Sequence, residues 1–255
     1  MGERTRNDRV VVLRKTKLGE SDLILTLLSS DGSQIRAVAK GARKPKSPFS
    51  TRLELHAVSD VLIAQGRSLD IVKEARLVAG HQGIRSSLER AAAAAPILEL
   101  LWRVTQDGLP VARLFELTCA SLDAIEDAPV EAAPRIAAAS LLKILAFCGF
   151  RPSFSRCVLC GRALEFRAGF DVAFSVQEGG VVCADCRTQC ETVPVDAATI
   201  ALARELLAST FQDIRGLQLD QPGAFSVLSL TQQWTREHAG CSLKSLNFLF
   251  TCGLF

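Results

Sequence analysis

Residues 9–40, RVVVLRKTKLGESDLILTLLSSDGSQIRAVAK, hold three short runs rich in Val, Ile and Leu. They are separated by the turn signals Gly19-Glu20-Ser21-Asp22 and Ser29-Ser30-Asp31-Gly32-Ser33. Runs of this length and composition, punctuated by Gly, Ser and Asp, read as β-strands. Two more follow, LHAVSDVLIA at 55–64 and LDIVKEARLV at 69–78, split by AQGRS. Five strands in about 80 residues predict a small barrel of the OB or SH3-like type, with an edge-open sandwich as the alternative.

Beyond residue 84 the period changes. SSLERAAAAAPILELLWRVTQ, VARLFELTCASLDAI and APRIAAASLLKILAFCGF place apolar residues at helical spacing, with Pro134 suited to a first turn and Pro96 marking a kink or boundary. Residues 151–193 are rich in Cys, Gly and Arg and lack periodicity. Helical pattern returns in DAATIALARELLAST, FSVLSLTQQWTREHAG and SLKSLNFLF. The expected α+β layout is a β-barrel over 1–80, a helical domain over 81–150, a cysteine-rich insert over 151–193 and a second helical part over 194–255.

Charge is distributed unevenly. Residues 1–80 carry 15 basic and 9 acidic side chains, the remainder 15 and 18, within a net charge of +3 over 255 residues. A basic first third points to a polyanion. The densest run is KGARKPKS at 40–47, where Lys40, Arg43, Lys44 and Lys46 stand without an acid. Arg14, Lys15, Lys17, Arg36 and Arg52 on neighbouring predicted strands extend the patch, and extended exposed cations suit phosphate contacts. A solvated loop that only aids solubility is the plainer alternative. Within 1–80 the only aromatic side chain is Phe49, so this barrel is expected not to stack several bases as tight single-strand binders do. The expected binding is therefore to phosphate, salt-sensitive and indifferent to strandedness. Leaving base edges free, it would favour annealing of complementary strands.

Nine cysteines in a chain without an amino-terminal signal pattern are expected to be reduced. Cys157 and Cys160 in CVLC and Cys183 and Cys186 in CADC form two close pairs, 22 residues apart. Two such knuckles can converge on one tetrahedral Zn²⁺, and four thiolates leave no open position, which makes the expected zinc structural. Cys190 is a spare fifth candidate. A zinc deaminase would need His-x-Glu and a Pro before a Cys pair, whereas His56, His81 and His238 are followed two residues on by Val58, Gly83 and Gly240. With no P-loop, no Gly-x-Gly-x-x-Gly and no Gly-x-Ser-x-Gly either, the sequence reads as non-enzymatic. AAAAAPIL ends at Glu99 and IAAASLL lies between Arg135 and Lys143, so no run approaches a membrane span. A soluble, cytoplasmic protein is expected.

The stretch VVLRKTKLGESDLILTLLSSDGSQIRAVAKGARKPKS, above all GESD and VAKGAR, resembles the amino-terminal segment of the bacterial RecO family of recombination mediators. LLKILAFCGFRPSFSRCVLCG is similar to the segment leading into that family's zinc motif, and SLKSLNFL to its last helix. The resemblance implies an OB fold, a helical carboxy-terminal domain and a zinc-ribbon-like insert whose metal supports folding. It also implies binding of single- and double-stranded DNA near the nucleoid, strand annealing, partnership with RecR, and help to RecA in replacing single-stranded-DNA-binding protein (SSB). Lys40, Arg43 and Lys44 fall on the family's basic loop. The family also receives the acidic, Phe-ended SSB tail on its helical domain, for which Arg135, Lys143 and Lys244 are weak candidates. Two rival readings are an OB-fold RNA-binding protein with a structural zinc and a zinc-thiolate redox sensor.

Overall fold

The structure is a computed structural model that describes residues 4–167, 169–216 and 221–255. It divides into two compact units, Met1–Asp127 and Ala128–Phe255.

The five expected strands form β1 (Thr5–Leu18), β2 (Asp22–Ser29), β3 (Gln34–Ala39), β4 (Val58–Ala64) and β5 (Asp70–Ala79). They close into a barrel of order β1-β2-β3-β5-β4. β1 is long enough to pair with two partners: Thr5 to Val11 run antiparallel to β4, and Val10 to Leu18 antiparallel to β2. A parallel contact of β3 with β5 completes the circuit. This is the OB arrangement, and full closure removes exposed strand edges. Val10 and Val12 belong to the barrel core with Leu25, Leu27, Ile35 and Ile63. Val11 and Leu13 are buried too, because the other face of β1 is covered by α2 (Leu88–Val104) and α3 (Leu114–Asp127). That two-sided burial explains a run of four apolar residues where a half-exposed strand would alternate.

Residues 40–57, between β3 and β4, coil through successive turns. Ala42, Phe49 and Leu53 from this segment complete the barrel core. The lone aromatic of the first 80 residues is thus a core residue. The β2–β3 turn sits tightly against residue 111: Gly32 has φ +84°, and a Cβ there would meet the Val111 carbonyl oxygen at 2.1 Å. Pro96 lies inside α2, which runs on through it. Between β5 and α2 is the five-residue α1 (Gln82–Ser86). Its free Gly83 and Ile84 N–H groups donate to the Glu126 carboxylate at 2.8 and 2.7 Å, a cap supplied from α3.

His56 ends the loop with a left-handed backbone, φ 68°. Its ring is buried, and neither nitrogen has a hydrogen-bond partner. Burial, reinforced by the neighbouring His81 and by Arg85, holds its pKa down to about 4. The nearby Leu55 carbonyl opposes this only in part. His81 itself bridges the His56 carbonyl at 2.7 Å and the Asp123 carboxylate at 3.1 Å. The unfolded chain protonates His56 near pH 6.5, the folded chain only near 4, so stability is full above pH 6.5 and declines as pH falls toward 4. The gap is worth about 3 kcal/mol. Denaturant titrations at pH 7 and pH 5 should show a drop that His56→Leu reduces; an unchanged drop would place the acid sensitivity elsewhere.

In the second unit, α4 (Ala133–Phe147) is buried along most of its length, with Pro134 in its first turn as expected. α5 (Ala197–Ala208) and α7 (Gln221–His238) pack on it, followed by α6 (Phe211–Gly216) and α8 (Lys244–Thr251) in contact with α4 and α7 respectively. The insert contributes β6 (Asp171–Ser175), β7 (Gly180–Val181) and β8 (Val193–Asp196), in the order β7-β6-β8. Phe174 of β6 packs on Phe154 and on Trp234 of α7, ring centres 6.2 and 5.9 Å apart. The Trp234 Nε1–H donates to the Phe150 carbonyl at 2.9 Å. The insert is thereby packed into the helical core of its unit.

Candidate nucleic-acid interface and metal centre

The loop at 40–47 is held by the turn that joins β1 to β2. Asp22 Oδ1 accepts the Gly41 N–H at 2.7 Å and the Ser21 hydroxyl at 2.9 Å. These two bonds, with smaller help from Lys40 and Lys44, keep its carboxyl below the usual range. The Arg43 N–H donates to the Ser21 carbonyl at 2.8 Å, and its guanidinium to the Gly19 carbonyl at 3.0 Å. The sequences GESD and KGAR are therefore two halves of one structure. Lys40, Arg43, Lys44 and Lys46 are all exposed around it, and Lys17 is exposed at the β1 end of the turn.

The structure separates the remaining candidates. Lys15 pairs with Glu54 at 2.6 Å, and Arg52 donates to the Ala75 carbonyl at 3.2 Å. Arg14 and Arg36 come together on the outer face of the barrel: the register sets Arg14 opposite Thr26 and Thr26 opposite Arg36. With Thr16, Ile24, Gln34 and Trp102 they line an open cleft of about 450 Å³ that no carboxylate enters. Trp102 is the residue the sequence reading missed, because it lies in α2, outside the strands whose aromatics were counted. Its guanidinium neighbours, Arg14 and Arg103, stand 4.6 and 4.1 Å from the ring centre. Among the helical candidates, Lys143 donates to the Leu207 and Ser209 carbonyls, both at 2.8 Å. Arg135 reaches the Arg215 carbonyl at 3.4 Å, and Lys244 is exposed at the start of α8.

The four paired cysteines converge. The sulfurs of Cys157, Cys160, Cys183 and Cys186 all lie within 4.8 Å of one another. Each knuckle is a backbone turn, closed by Gly161 N–H to the Cys157 carbonyl at 2.8 Å and by Cys186 N–H to the Cys183 carbonyl at 3.1 Å. The Val158 N–H bonded to the Val181 carbonyl at 3.0 Å joins the two. At Gly180, φ +152°, a Cβ would meet the Ser153 carbonyl oxygen at 2.2 Å, so the hairpin can approach this closely only without a side chain. Cys157, Cys183 and Cys186 are buried and Cys160 is exposed. Cys190 packs against the cluster but is not one of its four sulfurs.

Burial opposes ionisation of Cys157, yet N–H groups of Cys183, Cys160 and Leu159 bring its thiol down to about 6. The hydrogen bond to Cys183, then burial, push Cys186 up to about 12. Without a cation the thiols must share protons in this way, since adjacent thiolates repel. A tetrahedron with metal–sulfur arms of about 2.3 Å has edges of roughly 3.8 Å, and Cys160 and Cys183 sulfurs stand 3.7 Å apart. The donor set and its spacing fit a metal ion. The thiols fill all four positions, so a bound ion crosslinks the knuckles and offers no site to a substrate.

An OB barrel with a basic outer face, joined to a helical unit bearing a four-thiol centre, is the class that fold and site define. Two family models cover it, the amino-terminal domain of recombination protein O over residues 1–81 and its carboxy-terminal domain over 85–247. The chain belongs to the RecO family of DNA repair proteins. It is similar to the DNA repair protein RecO of Desulfitobacterium hafniense, with 32% identity over 92% of this chain and 85% of the relative. The RecO of Bifidobacterium adolescentis is 32% identical over 95% and 98%, and that of Rubrobacter xylanophilus 33% over 78% and 79%. No helix among the described residues is long and apolar enough to cross a membrane.

Proposed function

We propose that this chain is a non-enzymatic recombination mediator that binds single- and double-stranded DNA, anneals complementary strands and, with RecR, helps RecA replace SSB. The observation that carries the reading is the loop fastened by Asp22, which presents Lys40, Arg43, Lys44 and Lys46 to solvent beside the β1–β2 turn. Cations held on a rigid barrel neutralise phosphates on both strand types, and neutralisation removes the repulsion between two strands. Lys17 belongs to the same patch, and Arg14 and Arg36 extend it across the strands. Lys15 and Arg52, being engaged, contribute less. The domain roles follow the sequence division, with residues 1–80 contacting DNA and residues 151–193 forming a zinc-binding insert.

Zn²⁺ held by Cys157, Cys160, Cys183 and Cys186 crosslinks the insert and takes no part in chemistry. The helical part receives the SSB tail, with Lys244 freer than Lys143 to meet an acidic peptide. The protein works in the cytoplasm, at the nucleoid. The test is whether the purified protein accelerates pairing of complementary oligonucleotides, with and without SSB on one strand. Acceleration that fades with salt supports the reading, and no acceleration at any salt overturns it.

A further inference from the structure

The cleft at Trp102 is built from four elements. A register shift in β1 between Val12 and Arg14 breaks the strand's alternation and turns Arg14 outward, opposite Thr26. Gln34 of β3 then ties the end of α2 over the barrel. Its Nε2 donates to the Trp102 carbonyl at 3.1 Å, the Thr105 carbonyl at 3.0 Å and the Thr105 hydroxyl at 3.1 Å. The Gln34 N–H also donates to the Gln106 carbonyl at 3.0 Å. The indole is therefore fixed by backbone anchors and partly buried, with the Arg14 and Arg103 guanidiniums at its ring, Arg103 paired with Glu99 at 3.9 Å, and Arg36 across the same cleft, whose own lining holds no acid. Arg36 is exposed and makes no hydrogen bond or ion pair among the described residues.

We propose that Trp102 is a stacking platform for one unpaired nucleobase of single-stranded DNA, with Arg14 and Arg36 holding the flanking phosphates. The inference rests on the reading of the barrel as a DNA-binding face and deepens it. An aromatic ring accepts any base, so the site is sequence-tolerant. Arg14, one of the two guanidiniums at the ring in the free protein beside Arg103, moves to a phosphate when a base takes its place, exchanging a cation–π contact for a charge-assisted one. A paired base stacked within a duplex cannot reach the ring, so the site separates single from double strands although the basic loop does not.

Trp102 and Trp234 are the two tryptophans of the chain, and Trp234 is 2% exposed. Quenching of tryptophan fluorescence by an oligothymidylate therefore reports Trp102 in the native protein, whatever the fate of variants. The expected results are strong quenching by oligothymidylate and little by a duplex. Trp102→Ala should lose about 5- to 150-fold in oligothymidylate affinity, with duplex affinity and salt slope unchanged. Trp102→Phe should recover most of the loss. Absent quenching, or an equal loss on both DNA forms, overturns the stacking site. Failure of the underlying reading looks different: DNA affinity would then survive simultaneous removal of Lys40, Arg43 and Lys44.

Discussion

Cys157→Ser is expected to cost more stability than any single apolar truncation in either unit. Serine keeps the size of the side chain but gives up a thiolate ligand, and structural zinc sites of this kind contribute about 10–16 kcal/mol of binding free energy that is coupled to folding. Most of that coupling is lost with one of four ligands. The consequence reaches past the knuckles, because Val182 and Cys183 continue directly from β7, and the Val182 N–H bonds to the Ala173 carbonyl at 2.8 Å. Ala173 adjoins Phe174, which packs on Trp234. The measurements are zinc content of the purified protein and a thermal melt followed by circular dichroism. Wild type should hold one zinc and melt earlier with a strong chelator, and Cys157→Ser should hold none and be insensitive to the chelator. A variant that retains the wild-type melt without zinc would contradict the metal assignment. DNA affinity should fall far less than stability, since the proposed DNA contacts lie on the barrel.

The barrel was legible in the sequence because its strands are short apolar runs between Gly, Ser and Asp turns, and residue order is enough to reveal them. The four thiols were legible for a similar reason: two residues between cysteines form a knuckle wherever it occurs. Residues joined only by long-range contact were not. Nothing local says that Asp22 would anchor Gly41, that Lys15 would be engaged by Glu54, or that Trp102 would arrive beside Arg14 from the end of a helix. Phe49 stood out in the sequence only as the one aromatic of residues 1–80, and its burial follows from the turns that bring residues 40–57 into the barrel core. α1 and α6, of five and six residues, are too short to show a helical period. The buried, unpartnered ring of His56 gave no signal in sequence at all.

The second large effect is expected from replacing Lys40, Arg43 and Lys44 together by alanine. All three are exposed and lie outside the core cluster, so the fold should survive. Each phosphate contact contributes about 0.7–0.9 to the slope of log affinity against log salt. Three lost contacts should lower that slope by about 2–3 and weaken binding on the order of a hundredfold at 0.15 M salt. The loss should be similar for single and double strands, since backbone contacts read neither base nor pairing. The Arg43 guanidinium also donates to the Gly19 carbonyl, while its backbone N–H, kept in an alanine variant, holds the Ser21 carbonyl. Arg43→Ala alone therefore serves as a control for loosening of the loop. Fluorescence anisotropy across a salt series reads both quantities, and an unchanged slope would remove the loop from the interface.

The central claim is that charge fixed on the barrel brings complementary strands together. It is tested most directly by the annealing rate of two complementary oligonucleotides, one coated with SSB, measured over a salt series with wild-type protein and with the triple variant. The account predicts strong acceleration by wild type at low salt, a decline as salt rises, and little acceleration by the variant at any salt. Equal acceleration by both proteins would contradict it.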